Sequence, residues 1–433
     1  MQVLITPLPT RGARPASRPI PRPTSRPKPL ADAATDARFW VAVILLLAVG
    51  NLSMLAFLNA RGLPVSSALV ALAEALVFGL CLAVQLRRLP PWTLALGLGV
   101  ISWIVLTWLI RQRPDLKSVR DLLIPILFIS LGRQLADSIF AERCLRWVTL
   151  VVVVVAVLEA LFADAYGTLF NTFSFYANLG SIRESSAMFD GQTLTLNGFR
   201  PEGIGRTLLP MLLGAHRTSS VFLEPVSLGN FAVVLLAWNL SRDWKDMTRS
   251  TLLVLAAGLL IVLGDSRFGL LMALMLLVYR VLPMPAFRWA APVFPFVVFA
   301  AILGVAWFLP QVSDTLLGRI SNSGRSLLAF DSARLLGLDG PLPGYGDMGY
   351  AYVLSRFGAP LVIGLVFLLF LIPCSSERGQ RFRAMVVLYF FSSLAISGTS
   401  VFALKTAGLM WFLLGALTAD PRLKPQRLQQ GVS

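Results

Sequence analysis

Between positions 214 and 231 the sequence GAHRTSSVFLEPVSLGNF places the chain's one histidine, His216, next to Arg217 and shortly before Glu224, at the mouth of a long apolar run. Arginine forks bind phosphate through two parallel N–H groups and keep their charge at any physiological pH. A carboxylate or a neutral imidazole within hydrogen-bond reach of a hydroxyl can act as its general base. Arg217 therefore reads as an anion clamp, with Glu224 or His216 as a base beside it. GDSRFG at 264–269 adds Arg267, and Arg200, Arg206, Arg319 and Arg325 are further cations able to bind lipid head groups or glycan. Each group also has a structural reading. Glu224 precedes Pro225, so it should be non-helical and could cap the helix that Pro225 opens, favoured there by the helix dipole. Arg217 and His216 could be exposed side chains at a helix end, and Asp265 with Arg267 could form a local pair closing a tight turn. Glu74, Glu159 and Lys405 fall inside apolar runs, where an ionisable side chain is either hydrogen-bonded in the core or part of a proton or substrate path.

What must position these groups is a membrane domain. Of 433 residues 56% are hydrophobic and 14% charged, against about 25% charged in soluble domains. Crossing about 30 Å of hydrocarbon takes about 20 apolar residues. Twelve runs come near that length, at 39–59, 65–86, 91–110, 118–136, 147–163, 221–240, 250–264, 266–282, 288–309, 353–374, 382–397 and 400–418. None alternates polar with apolar residues as a barrel strand would, so the spanning elements are helices. The expected fold is all-α and polytopic, with about 12 transmembrane helices in one domain, 39–418, between tails at 1–38 and 419–433. The opening segment lacks the short apolar core and small-residue cleavage site of a secretory signal. RGARPASRPIPRPTSRPKP is too rich in proline for helix or sheet, which predicts a disordered tail whose cations can lie on anionic lipid.

Threading twelve helices from a cytoplasmic N-terminus puts 23 of the 38 Lys and Arg on inner segments, as the positive-inside rule requires. Both termini are then cytoplasmic, and the net charge of +16 reflects membrane orientation rather than nucleic acid. Arg111, Arg113, Lys117 and Arg120 go against the pattern. They mark either a local fault in this topology or a basic rim that meets phosphate groups at the outer leaflet. Two long segments, about 164–220 and 310–352, fall on the outer side and mark where chemistry outside the cytosol is expected. Within the first, IGRTLLPMLLGA is too short to span and reads as an interfacial or re-entrant piece. Within the second, Gly344, Gly346 and Gly349 have G-x-G-x-x-G spacing, but no strand precedes them, so they read as turn glycines. No G-x-x-x-x-G-K-[ST] loop and no soluble segment longer than about sixty residues is present, which speaks against an ATP-driven pump. Cys81, Cys144 and Cys374 lack metal-ligand spacing, and with a single histidine no metal or other cofactor is expected.

Three blocks, RTSSVFLEPVSLGNF at 217–231, DSRFGLL at 265–271 and LLGLDGPLPGYGDMGYAYVLSRFGAPLVIGLV at 335–366, resemble the bacterial polysaccharide polymerases of the Wzy and O-antigen-ligase-like class. The similarity is greatest to exopolysaccharide polymerases of the xanthan or sphingan type. It implies a glycosyltransferase of the bacterial inner membrane that joins undecaprenyl-diphosphate-linked oligosaccharide units on the periplasmic face, without nucleotide or metal. The lipid bilayer, a flippase and chain-length or export proteins are the partners implied, and no nucleic acid. The family's outer-loop arginines correspond to Arg217 in R-x-S-S-x-F-x-E-P and to Arg267 in S-R-x-G. Ligases of the class use a histidine in a later outer loop; here the one histidine precedes Arg217, so that role does not transfer. Residue chemistry agrees: a departing diphosphate needs its charge neutralised, and preorganised charge is often the largest catalytic contribution. The competing readings are a flippase for lipid-linked oligosaccharide, which would line its helices with polar groups and repeat its halves, an O-antigen ligase-like transferase, and a non-catalytic assembly partner.

Overall fold

Long runs of Leu, Val, Ala and Phe away from water satisfy their backbone N–H and C=O groups only within the segment, and they form helices. The computed structural model describes residues 28–180, 193–194, 198, 206–247, 250–282, 290–309, 315–342, 344–374 and 376–419, and among them there is no strand. Sixteen helices of seven or more residues follow in order. They are α1 (Lys28–Ala60), α2 (Ser67–Gln85), α3 (Pro91–Arg111), α4 (Leu116–Leu135), α5 (Ser138–Leu161), α6 (Ala163–Phe170), α7 (Thr172–Asn178), α8 (Pro225–Leu240) and α9 (Thr251–Leu263). Then come α10 (Arg267–Val281), α11 (Ala290–Phe308), α12 (Leu316–Leu328), α13 (Gly349–Phe357), α14 (Ala359–Leu371), α15 (Glu377–Leu394) and α16 (Leu404–Ala419). The chain is an all-helical, multi-pass membrane protein.

Among the described residues five helices are long and apolar enough to cross a bilayer, namely Asp36–Ala60 within α1, α2, α3, α5 and α11; the bent pair α13–α14 makes a sixth if counted as one. Helices α8, α9 and α16 are apolar but shorter. At 1.5 Å per residue the 16 residues of α8 or α16 reach about 24 Å. Both are buried nearly along their whole length, so protein rather than lipid surrounds them. At the centre, α16 packs on α4: Gly132 lies so close to the Phe412 carbonyl, and Gly415 to that of Ile129, that a Cβ on either would overlap backbone. Around this core, α2, α3 and α11 expose most of their apolar surface, as helices bathed in lipid do.

Three expectations need correction. The N-terminal tail expected through residue 38 gives way at Lys28, where α1 begins; Pro29 is tolerated in a first turn and LADAATDAR propagates helix. The 353–374 run is no single straight helix, because α13 and α14 meet at 106°. Gly358 has φ 75°, and Pro360 opens the next helix. The 310–352 segment is not simply an outer loop either, since α12 folds back along α11. Gly318, Ser321 and Gly324 give it a small-residue face on which two helices approach closely, and Gly324 abuts the Ile302 carbonyl.

Polar contacts at helix ends fall into two sets. Arg38 meets Asp137, Glu142 meets Arg242, Arg280 meets the Arg242 carbonyl, Arg381 meets Asp243, and Arg133 meets Thr418. These join the N-terminal ends of α1, α5 and α15 to the C-terminal ends of α4, α8, α10 and α16. The opposite helix ends carry the second set, which includes Glu159, Glu224, Arg267 and Lys405.

Candidate functional site

The site is built on the sharp turn between α9 and α10. Asp265 takes a left-handed φ of 45° there, a conformation that Asp tolerates better than most residues. Its Oδ1 accepts hydrogen bonds from the backbone of Thr207 at 3.0 Å and Leu208 at 2.8 Å, so the turn holds the 206–208 strand of the preceding loop. Ser266 caps α10 by accepting from the Gly269 N–H at 3.0 Å. The turn in turn packs on the start of α8, where Gly229 leaves room for the Ser266 hydroxyl.

Three arginines from three sequence blocks converge on these few residues. Arg206 donates to the carbonyls of Leu208 and Leu263 at 2.9 Å each, and also to those of Val262 and His216. It closes the C-terminal end of α9, whose last carbonyls lack helical partners and carry the negative end of the dipole. Arg217 is buried, with Nε donating to the Gly264 carbonyl at 3.3 Å and its backbone N–H to Gly198 at 2.8 Å. Arg267 is exposed at the first turn of α10 and donates from Nε to Thr207 Oγ1 at 2.6 Å. Of the sequence-derived candidates, Arg206, Arg217, Arg267 and His216 thus meet in one knot. Arg319 and Arg325 sit instead on α12, Arg319 exposed and Arg325 half-buried. Arg200 lies outside the described residues.

Two glutamates flank the knot. Glu159, at the C-terminal end of α5, is fully buried and accepts from the backbone N–H groups of Ser219 at 2.9 Å and Ser220 at 2.6 Å, with His216 Nε2 at 3.1 Å. Ser220 adds bonds to the Val152 carbonyl at 2.7 Å and, through its own carbonyl, from the Tyr166 hydroxyl at 2.6 Å. Glu159 therefore fixes the His216–Ser220 strand, and the imidazole is turned onto a carboxylate already held by amides. Of the two readings open for Glu159, these contacts are those of a hydrogen-bonded core residue.

Glu224 has the extended backbone expected before proline, with φ −143° and ψ 125°, and Pro225 opens α8. Its side chain takes no backbone N–H of that helix. Lys405 Nζ lies 2.8 Å away, Tyr176 Oη donates at 3.0 Å and Ser227 Oγ at 3.0 Å. Lys405 also donates to the Phe222 carbonyl at 2.9 Å. Burial and the neighbouring Glu224 charge push the Tyr176 phenol well above its ordinary pKa, so it remains a protonated donor. Lys405 is almost wholly enclosed, while 35% of the Glu224 side chain stays exposed. Lys405 was ambiguous in the sequence and Tyr176 carried no signal there; only the fold brings α7 and α16 to this carboxylate.

The basic residues around 111–120 form a second polar centre. Arg111 donates to the carbonyls of Ser355 and Arg356 at 3.1 and 2.8 Å and to that of Gly337, closing the end of α13. Arg120 pairs with Glu74 at 3.3 Å and Asp121 at 2.6 Å, and Tyr352 donates to Asp121 at 2.5 Å. Arg356 pairs with Asp115. Among the described residues, no cluster of His, Cys, Asp and Glu could hold a metal ion.

No protein-family model, no curated protein and no solved structure matches the chain. Fold and site define a class only: a helical membrane protein with an arginine-rich knot and a partly exposed glutamate side chain at one end of its bundle.

Proposed function

We propose that the protein is a polysaccharide polymerase of the bacterial inner membrane, joining undecaprenyl-diphosphate-linked oligosaccharide units on the periplasmic face. The observation that carries this reading is the gathering of Arg206, Arg217 and Arg267 about the α9–α10 turn, which packs against the helix that Glu224 precedes. In the proposed topology both termini are cytoplasmic, the helix ends bearing Arg133, Arg242, Arg280 and Arg381 face inward, and the short buried helices complete about twelve crossings.

In the reaction the acceptor hydroxyl oxygen attacks the anomeric carbon of the donor. The bond from that carbon to the diphosphate oxygen breaks, the lipid diphosphate leaves with the bonding pair, and the acceptor's proton passes to Glu224 Oε. Arg267, the exposed member of the knot, meets the departing diphosphate. Arg217 supports it from behind with charge held in a low-dielectric place, and Arg206 shapes the turn. Lys405, Tyr176 and Ser227 hold the carboxylate in one orientation, as a general base requires. His216, turned onto Glu159, positions the strand that carries Arg217.

Arg267 gives the cleaner test because its side chain is exposed and its loss leaves no buried group unpaired. Arg267→Ala protein should reach the membrane in normal amount while single lipid-linked units accumulate on the outer face. Accumulation on the inner face instead would identify a translocation defect and sink the polymerase reading.

A further inference from the structure

Arg267 stands where a helix least favours a cation. It is the first residue of α10, just after the capping Ser266, so its charge sits at the positive end of the helix dipole. Its Nε donates at 2.6 Å to a hydroxyl, Thr207 Oγ1. A guanidinium offers an anion two forks, one made by Nε with a terminal nitrogen and one made by the two terminal nitrogens. With Nε–H given to Thr207 the first fork is taken, and the second is left for an incoming anion. Arg206 and Arg217 are buried and oriented by what encloses them. Arg267 lies in solvent, and Thr207 is what gives its side chain a direction.

Thr207 is itself held from several sides. Its backbone N–H and that of Leu208 donate to Asp265 Oδ1 at 3.0 and 2.8 Å. Arg206 ties the same strand to the end of α9, donating to the carbonyls of Leu208 and Leu263 at 2.9 Å each. Leu209 then takes a left-handed φ of 49°, a strained conformation for leucine, so the chain accepts strain in laying 206–208 across the α9–α10 turn. A closed ring results. Asp265 and Arg267 lie two residues apart on the turn, the Arg267 side chain reaches the Thr207 hydroxyl, and the Thr207 backbone returns to Asp265. Threonine is stiff about its first side-chain torsion, so a fixed backbone also fixes the hydroxyl.

We propose that Thr207 is a positioning residue whose hydroxyl aims the Arg267 guanidinium, so that its two terminal nitrogens meet two oxygens of one phosphate. The proposal rests on the polymerase reading for the identity of that phosphate, the one leaving the donor sugar. Its charge grows as the bond to the sugar breaks, and a fork already aimed at it favours the transition state over the bound substrate. Thr207 touches no reacting atom and acts through Arg267.

The test measures undecaprenyl diphosphate binding, and glycan lengthening from defined lipid-linked units, with the full-length protein in phosphatidylcholine nanodiscs. Thr207→Val keeps the β-branched shape and removes the hydroxyl. It should weaken lipid binding about fivefold, the effect of one hydrogen bond, and lower kcat about tenfold because the aim matters most in the transition state. Thr207→Ser should bring both back to within about twofold of wild type. Arg267→Lys keeps a charge but has no Nε–H, and in that background Thr207→Val should change neither quantity by more than about twofold. The proposal is overturned if Thr207→Val matches wild type, if serine does not rescue, or if the valine loss persists undiminished in the Arg267→Lys background. A wild type that binds the lipid without lengthening glycan would refute the polymerase reading, while the binding comparison would still decide the role of Thr207. Absence of lipid binding by wild type would overturn both.

Discussion

Glu159 and Glu224 lie on either side of one short strand, and the protein treats them in opposite ways. Glu159 is fully enclosed and divides its oxygens among two backbone amides and an imidazole. Glu224 is gripped by a buried ammonium, a phenol and a hydroxyl, yet a third of its side chain remains open. A carboxylate whose acceptor sites are all taken by the fold is an anchor, because removing it leaves buried donors without partners. One held firmly but incompletely covered can still meet a substrate proton. Burial alone therefore does not pick out the working group; what remains open after the fold has taken its share does.

The largest expected break in this contrast is Glu159→Ala. It strands the Ser219 and Ser220 amides and should cost on the order of 4 kcal/mol of stability, seen as a clear drop in the thermal midpoint of detergent-solubilised protein. An unchanged midpoint would show that the His216–Ser220 strand is held by something else. Next comes Glu224→Gln, which keeps the shape and one acceptor oxygen for the Tyr176 hydroxyl but removes the base. Polymer formation per folded protein should fall about 100-fold, equivalent to about 2.7 kcal/mol, and the midpoint should also drop because the enclosed Lys405 ammonium loses its counter-charge. Near-normal polymer from this variant would take Glu224 out of the mechanism and leave it as a second anchor.

How legible this was depends on the distance over which each signal acts. The dipeptide Glu224–Pro225 fixes its own geometry, so extended Glu224 and helical Pro225 follow from local sterics. Helix α12 was hidden because its Ser, Gly and Arg content resembles a loop, although those small residues are what lets it pack on α11. The break at Gly358 does carry a local signal, the Gly-Ala-Pro of 358–360, but it lies inside a run apolar enough to read as continuous helix. Nothing local announces the Lys405–Glu224 pair, which joins residues 181 apart. Nor does the sequence say that Arg206 would turn its guanidinium onto backbone carbonyls while Arg267 stays exposed, because an arginine's partner is decided by which helix end arrives beside it.

Lys405→Met sharpens the contrast from the other partner. Breaking a buried ion pair typically costs about 3–5 kcal/mol, but Glu224 keeps some access to solvent, so a loss nearer 2 kcal/mol is expected. Methionine fills the space, and the residual penalty comes from the Phe222 carbonyl and Glu224 losing their donor. Activity should fall with stability, since the carboxylate loses the contact that aims it. Full activity at reduced stability would assign Lys405 to the fold alone.

Tyr176→Phe is the smallest change and the most discriminating. It removes one hydrogen bond to Glu224 and should cost about 1 kcal/mol, a shift of a few degrees at most in the thermal midpoint. The ring still packs against Phe175, so α7 stays in place. If Glu224 is the base, polymer output should fall less than tenfold, because Lys405 and Ser227 still orient it and one more oxygen lone pair becomes reachable. A loss as deep as that of Glu224→Gln would contradict this and move the proton-handling role toward the phenol, which burial keeps protonated and able to donate.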